Sequence, residues 1–192
     1  VYVVAWDRYG EFRPVDNVNG VLVRSFTPID LRRYSRLGLV LGGILFQLQL
    51  LFAAVKLVAR LRRRPVVHAH DINTLPVGCL LRLLRLCSAL VYDCREFTYG
   101  LYYEWFNPIV ASFVRAIEER CVRYVDAIIA VSGPIGDCLR HFNPRIEIIY
   151  NCPRMADLPK ASKNEIRVQL ALPQGAFIVS YVGAIRHDCR LD

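Results

Sequence analysis

Three short apolar runs each end in side chains able to do chemistry. VVHAHD at residues 66–71 presents His70 and Asp71, and LVYDCREF at 90–97 presents Asp93, Arg95 and Glu96. AIIAVSG at 127–133 presents Ser132. A carboxylate pair divides acid and base roles when its surroundings separate the two pKa values. A guanidinium such as Arg95 binds phosphate or carboxylate through two parallel hydrogen bonds. Ser132 stands in VSGP rather than in a G-x-S-x-G elbow, so it reads as a helix cap whose amides favour an anion rather than as a nucleophile. His68 and His70 share one face of a strand. With Asp71 beside them a metal site is conceivable, but no further ligand is signalled, and the sequence reading assigns no metal. Asp71, followed by Asn73 and Thr74, has a plain structural alternative as a cap of the next helix. The cluster of Asp93, Arg95 and Glu96 has one too, as an internal salt bridge.

These residues need a frame that brings three strand ends to one rim. Apolar runs alternate with helical stretches, which is the signature of βαβ units with right-handed crossovers. Buried parallel strands read as continuous apolar runs, and ligands bind beyond their carboxyl ends. The expected fold is therefore α/β, a Rossmann-like doubly wound parallel sheet. Its strands end at His70, Tyr92, Val131 and Tyr150 and all run the same way. Helices are expected over about 39–61, 75–86, 108–125 and 133–141, and a short one over 162–170. In the helix opening at Pro108, Ile109, Phe113, Ala116 and Ile117 give an amphipathic stripe. TYGLYYEWF at 98–106 reads as an aromatic loop that stacks on sugar or lipid, or plugs the sheet edge. Residues 1–5 and 21–26 read as strands, and the polar stretch between them as turns marked by Gly, Pro and Asn. The turn-rich stretch 151–160 leads into a second unit. The expected domains are 1–160 and 161–192, and the strand 176–185 lies outside the main sheet.

The 192 residues, 54% hydrophobic with a net charge of +8, are enough for one packed domain and the start of another. A basic balance suits anionic lipid, nucleic acid or a phosphate-bearing small molecule. No standard RNA or DNA motif accompanies it, which argues against nucleic acid. Seven scattered cysteines without a CxxC pair point to reduced thiols in a cytosolic setting. Residues 37–55 carry no charge and have basic clusters on both sides. A helix packed on the sheet, a helix that also touches an anionic membrane surface, and a true span all remain open for this stretch. Both ends of the chain look cut: it opens on a strand at Val1, and the strand at 176–185 has too little chain after it to complete a unit.

Five segments in order resemble the amino-terminal domain of the retaining GT-B glycosyltransferases of family 4. VVHAHD is similar to the strand leading to H-x-H-D, and LVYDCREF to the Y-D-x-H-E segment. DAIIAVSGPIGDCL at 126–139 resembles D-x-I-I-x-V-S and its helix. IEIIYNCPR at 146–154 resembles the V-x-V-I-x-N-G interdomain segment, and FIVSYVGAI at 177–185 the first donor-domain strand. Arg95 stands where the family pattern has histidine, and Cys152 where it has glycine. The opening glycine-rich loop and most of the donor domain have no counterpart.

The resemblance implies the amino-terminal, acceptor-side half of a GT-B fold. It implies transfer of a sugar from a nucleotide sugar to a lipid-linked or polysaccharide acceptor with retention, and no cofactor or metal. Asp71, Arg95 and Glu96 are the candidates for the acceptor side of the cleft. Ser132, Asn151, Gly183 and Arg186 are those for donor binding. A cytoplasmic enzyme, peripheral at the inner face of the membrane and inactive as this piece alone, follows as an expectation. The alternative is a non-catalytic Rossmann-like module that holds a phosphorylated ligand on the same rim.

Overall fold

The structure, a computed structural model, describes residues 1–6, 15–26, 36–152 and 161–179. The chain divides into two compact units, Val1–Tyr150 and Asn151–Asp192. The first is built in the order β1 (Tyr2–Trp6), β2 (Val15–Val18), β3 (Val21–Phe26), α1 (Arg36–Val58), β4 (Val66–His70), α2 (Leu75–Leu83) and β5 (Ala89–Cys94). It continues with α3 (Thr98–Trp105), α4 (Pro108–Cys121), a 3-10 turn at Val122–Tyr124, β6 (Ala127–Ala130), α5 (Gly133–Arg140) and β7 (Ile146–Ile148).

Strands β4, β5, β6 and β7 form one sheet in that order, every pair parallel. His70 lies beside Asp93, and Asp93 beside Ile129. The carboxyl ends therefore line up in one row, as the alternation of apolar runs and crossovers predicts. Helices flank the sheet, and the fold is the α/β, Rossmann-like half that the sequence pattern indicates.

Burial is uneven between the two faces. Ala69, Leu90, Tyr92, Cys94, Ile128 and Ala130 are buried, and all but Ala130 pack in one cluster with Leu75 and Cys79 of α2, Val122, Val125 and Leu139. On the opposite face Val66, His68 and His70 are exposed, and Val91, Asp93 and Ile129 only half-buried. The expectation that the strands bury both faces therefore holds for one face among the described residues. A second core joins Phe46 and Leu50 of α1 to Val77, Leu81 and Cys87, with Val4 and Val67 packed against it. No described helix is long and apolar enough to cross a membrane.

Four local expectations are corrected. Residues 15–18, read as part of a turn stretch, form strand β2 antiparallel to β3, and β1 pairs parallel with β3 to give a separate three-stranded sheet. The link is Asn19–Gly20, with φ of 50° and 83°. This is the two-residue Asn-Gly hairpin turn, in which both central residues need positive φ. The supposed aromatic loop at 98–106 is mostly helix α3. There Tyr99 meets Tyr103 and Tyr102 stacks on Phe106, with ring centroids 6.0 and 5.7 Å apart. These i, i+4 aromatic contacts stabilise a helix that the composition alone hides. In α4 Ile109, Phe113 and Ala116 of the expected stripe are exposed, and the face turned to the core is Ala111 and Glu118 with partly buried Val114 and Ile117. Strand β7 stops at Ile148, two residues before Tyr150.

In the second unit α6 (Lys163–Gln169) opens on a capping box. Ser162 Oγ accepts from Glu165 N, and the Glu165 carboxylate accepts from Ser162 N. Residues 176–179 form no strand, and the rest of the expected strand up to 185 lies outside the described residues, as does the stretch 153–160 around the expected domain boundary.

Candidate functional site

Asp71 follows the last residue of β4 in the left-handed region, φ 58°. Its amide continues the ladder by donating to Asp93 O at 2.9 Å. The turn that follows is closed by Thr74, whose hydroxyl donates to His70 O at 2.7 Å. Thr74, not Asp71, occupies the N-cap position of α2, so the capping alternative for Asp71 fails. The carboxylate is instead turned to the neighbouring strand end. Arg95 Nη2 donates to Asp71 Oδ2 at 2.5 Å, and Arg95 N approaches Oδ1 at 3.4 Å. The pair is partly open, with the Arg95 side chain 51% and the Asp71 side chain 25% exposed. The Asp71 carboxylate raises the Arg95 pKa further, so the guanidinium stays charged.

Two further turns of chain fix this rim. Asn73, in the same turn, accepts from Tyr102 Oη through Oδ1 at 3.2 Å and from Gln47 Nε2 through its carbonyl at 2.8 Å. The loop that carries Asp71 is thus tied to α3 on one side and α1 on the other.

Glu96 is exposed and faces a different space from the Asp71–Arg95 pair. It lines a hollow of about 80 Å³ together with Thr98, Tyr99, Arg115, Glu118 and Cys138. Arg115 pairs with Glu119 at 2.6 Å and lies over the Tyr99 ring at 5.7 Å. The floor is Glu118, 6% exposed. Its Oε1 accepts from Tyr92 Oη at 2.6 Å and Thr98 Oγ1 at 2.7 Å, with Cys94 Sγ at 3.9 Å. Burial pushes the Glu118 carboxyl above its ordinary range, and these hydrogen bonds offset the push only in part. Beside the same carboxylate, burial raises the Cys94 thiol to about 12, which keeps it inert.

A second carboxylate pairing was not singled out from the sequence. Asp93 Oδ2 lies 2.7 Å from His70 Nδ1 and 3.9 Å from His68 Nε2. Burial and the neighbouring His70 lower the His68 pKa, against the pull of Asp93. The i, i+2 spacing of the histidines was the visible signal, but only the register between β4 and β5 shows that the third member is Asp93 rather than Asp71. Glu118 was missed because it sits among apolar residues on the inner face of α4. A carboxylate at i+4 from Val114 and i+7 from Ala111 is the mark that could have found it.

The remaining candidates separate. Ser132 is the N-cap residue of α5 by position, with Pro134 in the first turn, but its hydroxyl makes no capping hydrogen bond. Its carbonyl accepts from Gly136 N at 3.1 Å. Asn151 is exposed and belongs to the second unit. Gly183 and Arg186 lie outside the described residues. The rim thus brings together Asp71 and Arg95, places Glu96 next to them on a separate hollow, and sets Ser132 one strand further along.

Comparison with known proteins adds one finding. The sequence profile described as Glycosyltransferase Family 4 matches residues 1–152, which takes in both sheets and the whole rim. No curated protein sequence matches the chain.

Proposed function

Because the chain belongs to glycosyltransferase family 4, a family of sugar transfer, we propose that the rim formed by Asp71, Arg95 and Glu96 is the acceptor side of a retaining glycosyltransferase. The donor is a nucleotide sugar. The bond between its anomeric carbon and the diphosphate breaks, and a bond from the acceptor hydroxyl oxygen forms on the same face. The departing diphosphate takes the acceptor proton, so the side chains orient and stabilise rather than carry it. Transfer then requires no metal at the leaving phosphate, because helix amides and basic groups stabilise that charge. On this reading Ser132, Asn151, Gly183 and Arg186 contribute to donor binding.

The observation that carries the reading is the Asp71–Arg95 pair held on adjacent parallel strand ends within the matched domain, with Glu96 next to it on the neighbouring hollow. Arg95 is neutralised by Asp71, which leaves Glu96 as the exposed carboxylate free to accept a hydrogen bond from an acceptor hydroxyl. Replacing Glu96 with Gln in the full-length protein is expected to lower kcat/KM at least tenfold, about 1.4 kcal/mol of transition-state stabilisation. An unchanged kcat/KM removes Glu96 from the reaction.

A lipid-linked or polysaccharide-precursor acceptor fits the surroundings. Tyr103, Phe106, Ile109 and Phe113 are exposed on α3, α4 and their junction, a surface suited to sugar faces and acyl chains. Helix α1 shows an exposed stripe of Ile44, Leu48, Phe52 and Val55. Just beyond its end, Arg62, Arg63 and Arg64 meet Arg85 around an open hollow of about 440 Å³. None of these four has a carboxylate partner among the described residues. An apolar stripe ending in unpaired cations matches an anionic membrane surface at the inner face of the membrane. Lys56 and Arg60 add to it, and Arg32, Arg33 and Arg36 carry the same charge in sequence. Each basic group near such a surface contributes about 1 kcal/mol. Sedimentation with phosphatidylserine vesicles is expected to pull the protein down at low salt and release it at high salt. Equal binding to neutral vesicles, or none to either, defeats this part of the proposal.

A further inference from the structure

The open face of the parallel sheet holds a cluster that sugar transfer leaves unused. His68 and His70 point from β4 to the same side, their rings stacked with centroids 4.4 Å apart. Asp93, directly beside His70 on β5, points to that side as well. One ligand atom from each, an imidazole nitrogen twice and a carboxylate oxygen once, lies within 4.8 Å of the others. We propose that His68, His70 and Asp93 form a binding site for a divalent transition-metal ion of the zinc class, which cross-links β4 to β5.

The donor set and the geometry both point there. Two imidazoles and one carboxylate suit zinc and its neighbours, and exclude a calcium or magnesium site, which is built from oxygens alone. Zinc binds nitrogen and oxygen at about 2.0–2.2 Å, so two ligands of a tetrahedral ion stand roughly 3.3 Å apart. The two contacts to Asp93 Oδ2, 2.7 Å from His70 and 3.9 Å from His68, bracket that value. Small changes in side-chain torsion reach it, and the histidines are free to make them, since their side chains are 54% and 44% exposed. The same exposure leaves a fourth position for water. The backbone does the rest: i, i+2 spacing presents two imidazoles as a chelate, and the parallel register brings the carboxylate alongside.

The position gives such an ion a consequence. It would sit one residue before Asp71 and two before Arg95 and pin together the two strand ends that carry them. Its role is that of a clamp on the rim, independent of the transfer chemistry and of the acceptor assignment.

The test uses the full chain, cobalt(II) as a spectroscopic probe and zinc(II) as competitor. Wild-type protein is expected to take up one equivalent of cobalt(II), with visible d–d bands and without the intense thiolate charge-transfer band. That absence distinguishes the site from exposed Cys138 and Cys152. One equivalent of zinc(II) should displace the cobalt and raise the thermal midpoint. His68→Ala and His70→Ala, at exposed positions that leave the fold intact by circular dichroism, should each weaken binding at least tenfold, and Asp93→Asn likewise. Absence of stoichiometric cobalt binding by the wild type overturns the proposal. So does binding that survives in the double variant His68→Ala/His70→Ala, or a spectrum dominated by thiolate.

Discussion

Replacing Arg95 with alanine is expected to lower kcat/KM for glycosyl transfer about a hundredfold, about 2.7 kcal/mol, with little change in thermal midpoint. The two halves of this expectation have different origins. The guanidinium is half exposed and its pair with Asp71 is open to water, so the pair contributes on the order of 1 kcal/mol or less to folding. In the cleft, however, the same fork sets the direction of the Asp71 carboxylate and offers a phosphate or sugar hydroxyl its remaining donors. Alanine removes both and leaves Asp71 on a left-handed backbone with no partner to orient it. Arg95→Lys separates charge from geometry. It keeps the cation but not the fork, and should recover only part of the loss. Steady-state kinetics of the three forms in the full-length protein check this. Wild-type kcat/KM in the alanine variant would show that the pair is only an anchor for the strand end.

The largest effect on stability is expected at Glu118. Its Oε1 receives the hydroxyls of Tyr92 and Thr98 inside the core, and Tyr92 is fully buried. Glu118→Ala strands two buried donors and opens a cavity, which together cost about 3–5 kcal/mol, or about 10 °C in thermal midpoint for a domain of this size. Glu118→Gln keeps an acceptor oxygen and should lose far less. The charge sets a pH dependence as well. Burial holds the folded-state pKa of Glu118 above its unfolded value, so the folded protein keeps a proton that the unfolded chain has released. Stability from this group is therefore full below the ordinary glutamate range and declines as pH rises towards the raised folded value, after which it is level. Glu118→Gln should flatten that decline. Asp126 acts in the opposite sense: the Leu90 amide and Arg82 lower its pKa, so its contribution is present above the ordinary aspartate range and fades as pH falls. Urea titrations across the acid range, on wild type and Glu118→Gln, measure the difference. Identical slopes would show that Glu118 does not titrate differently on folding.

What could be read in the chain divides along physical lines. The four parallel strands and their direction were legible because continuous apolar runs separated by helical spacing admit few other arrangements. The exposure of one sheet face was not, because Val66, Val91 and Ile129 are as apolar as the residues buried opposite them. The hairpin was written in Asn19–Gly20 but masked by the polar residues around it. In α4 the apolar residues cover more than one face, so periodicity selected Ile109 and Phe113. Packing selected Ala111 and Glu118 instead, since Tyr92 and Thr98 give the carboxylate partners there. At the site, strand ends predicted which residues share a rim. They could not predict pairing: Asp71 with Arg95 and Asp93 with His70 depend on register and on a left-handed backbone at Asp71. Glu96 was grouped with Arg95 by sequence adjacency, yet successive residues beyond a strand end part company, and the two face different spaces.

The order of strands in the main sheet, β4-β5-β6-β7, is also their order in the chain. Each new strand as it leaves the ribosome meets an edge already present, made by the strand just before it. After β4, every described strand of this sheet meets a partner made before it, and none must be threaded between two that are already paired. The loops to be closed are each a single crossover long, which keeps the entropy of every step small. Assembly therefore grows in one direction, and the pairing of β4 with β5 that brings Asp71 beside Arg95 depends on no strand made after β5.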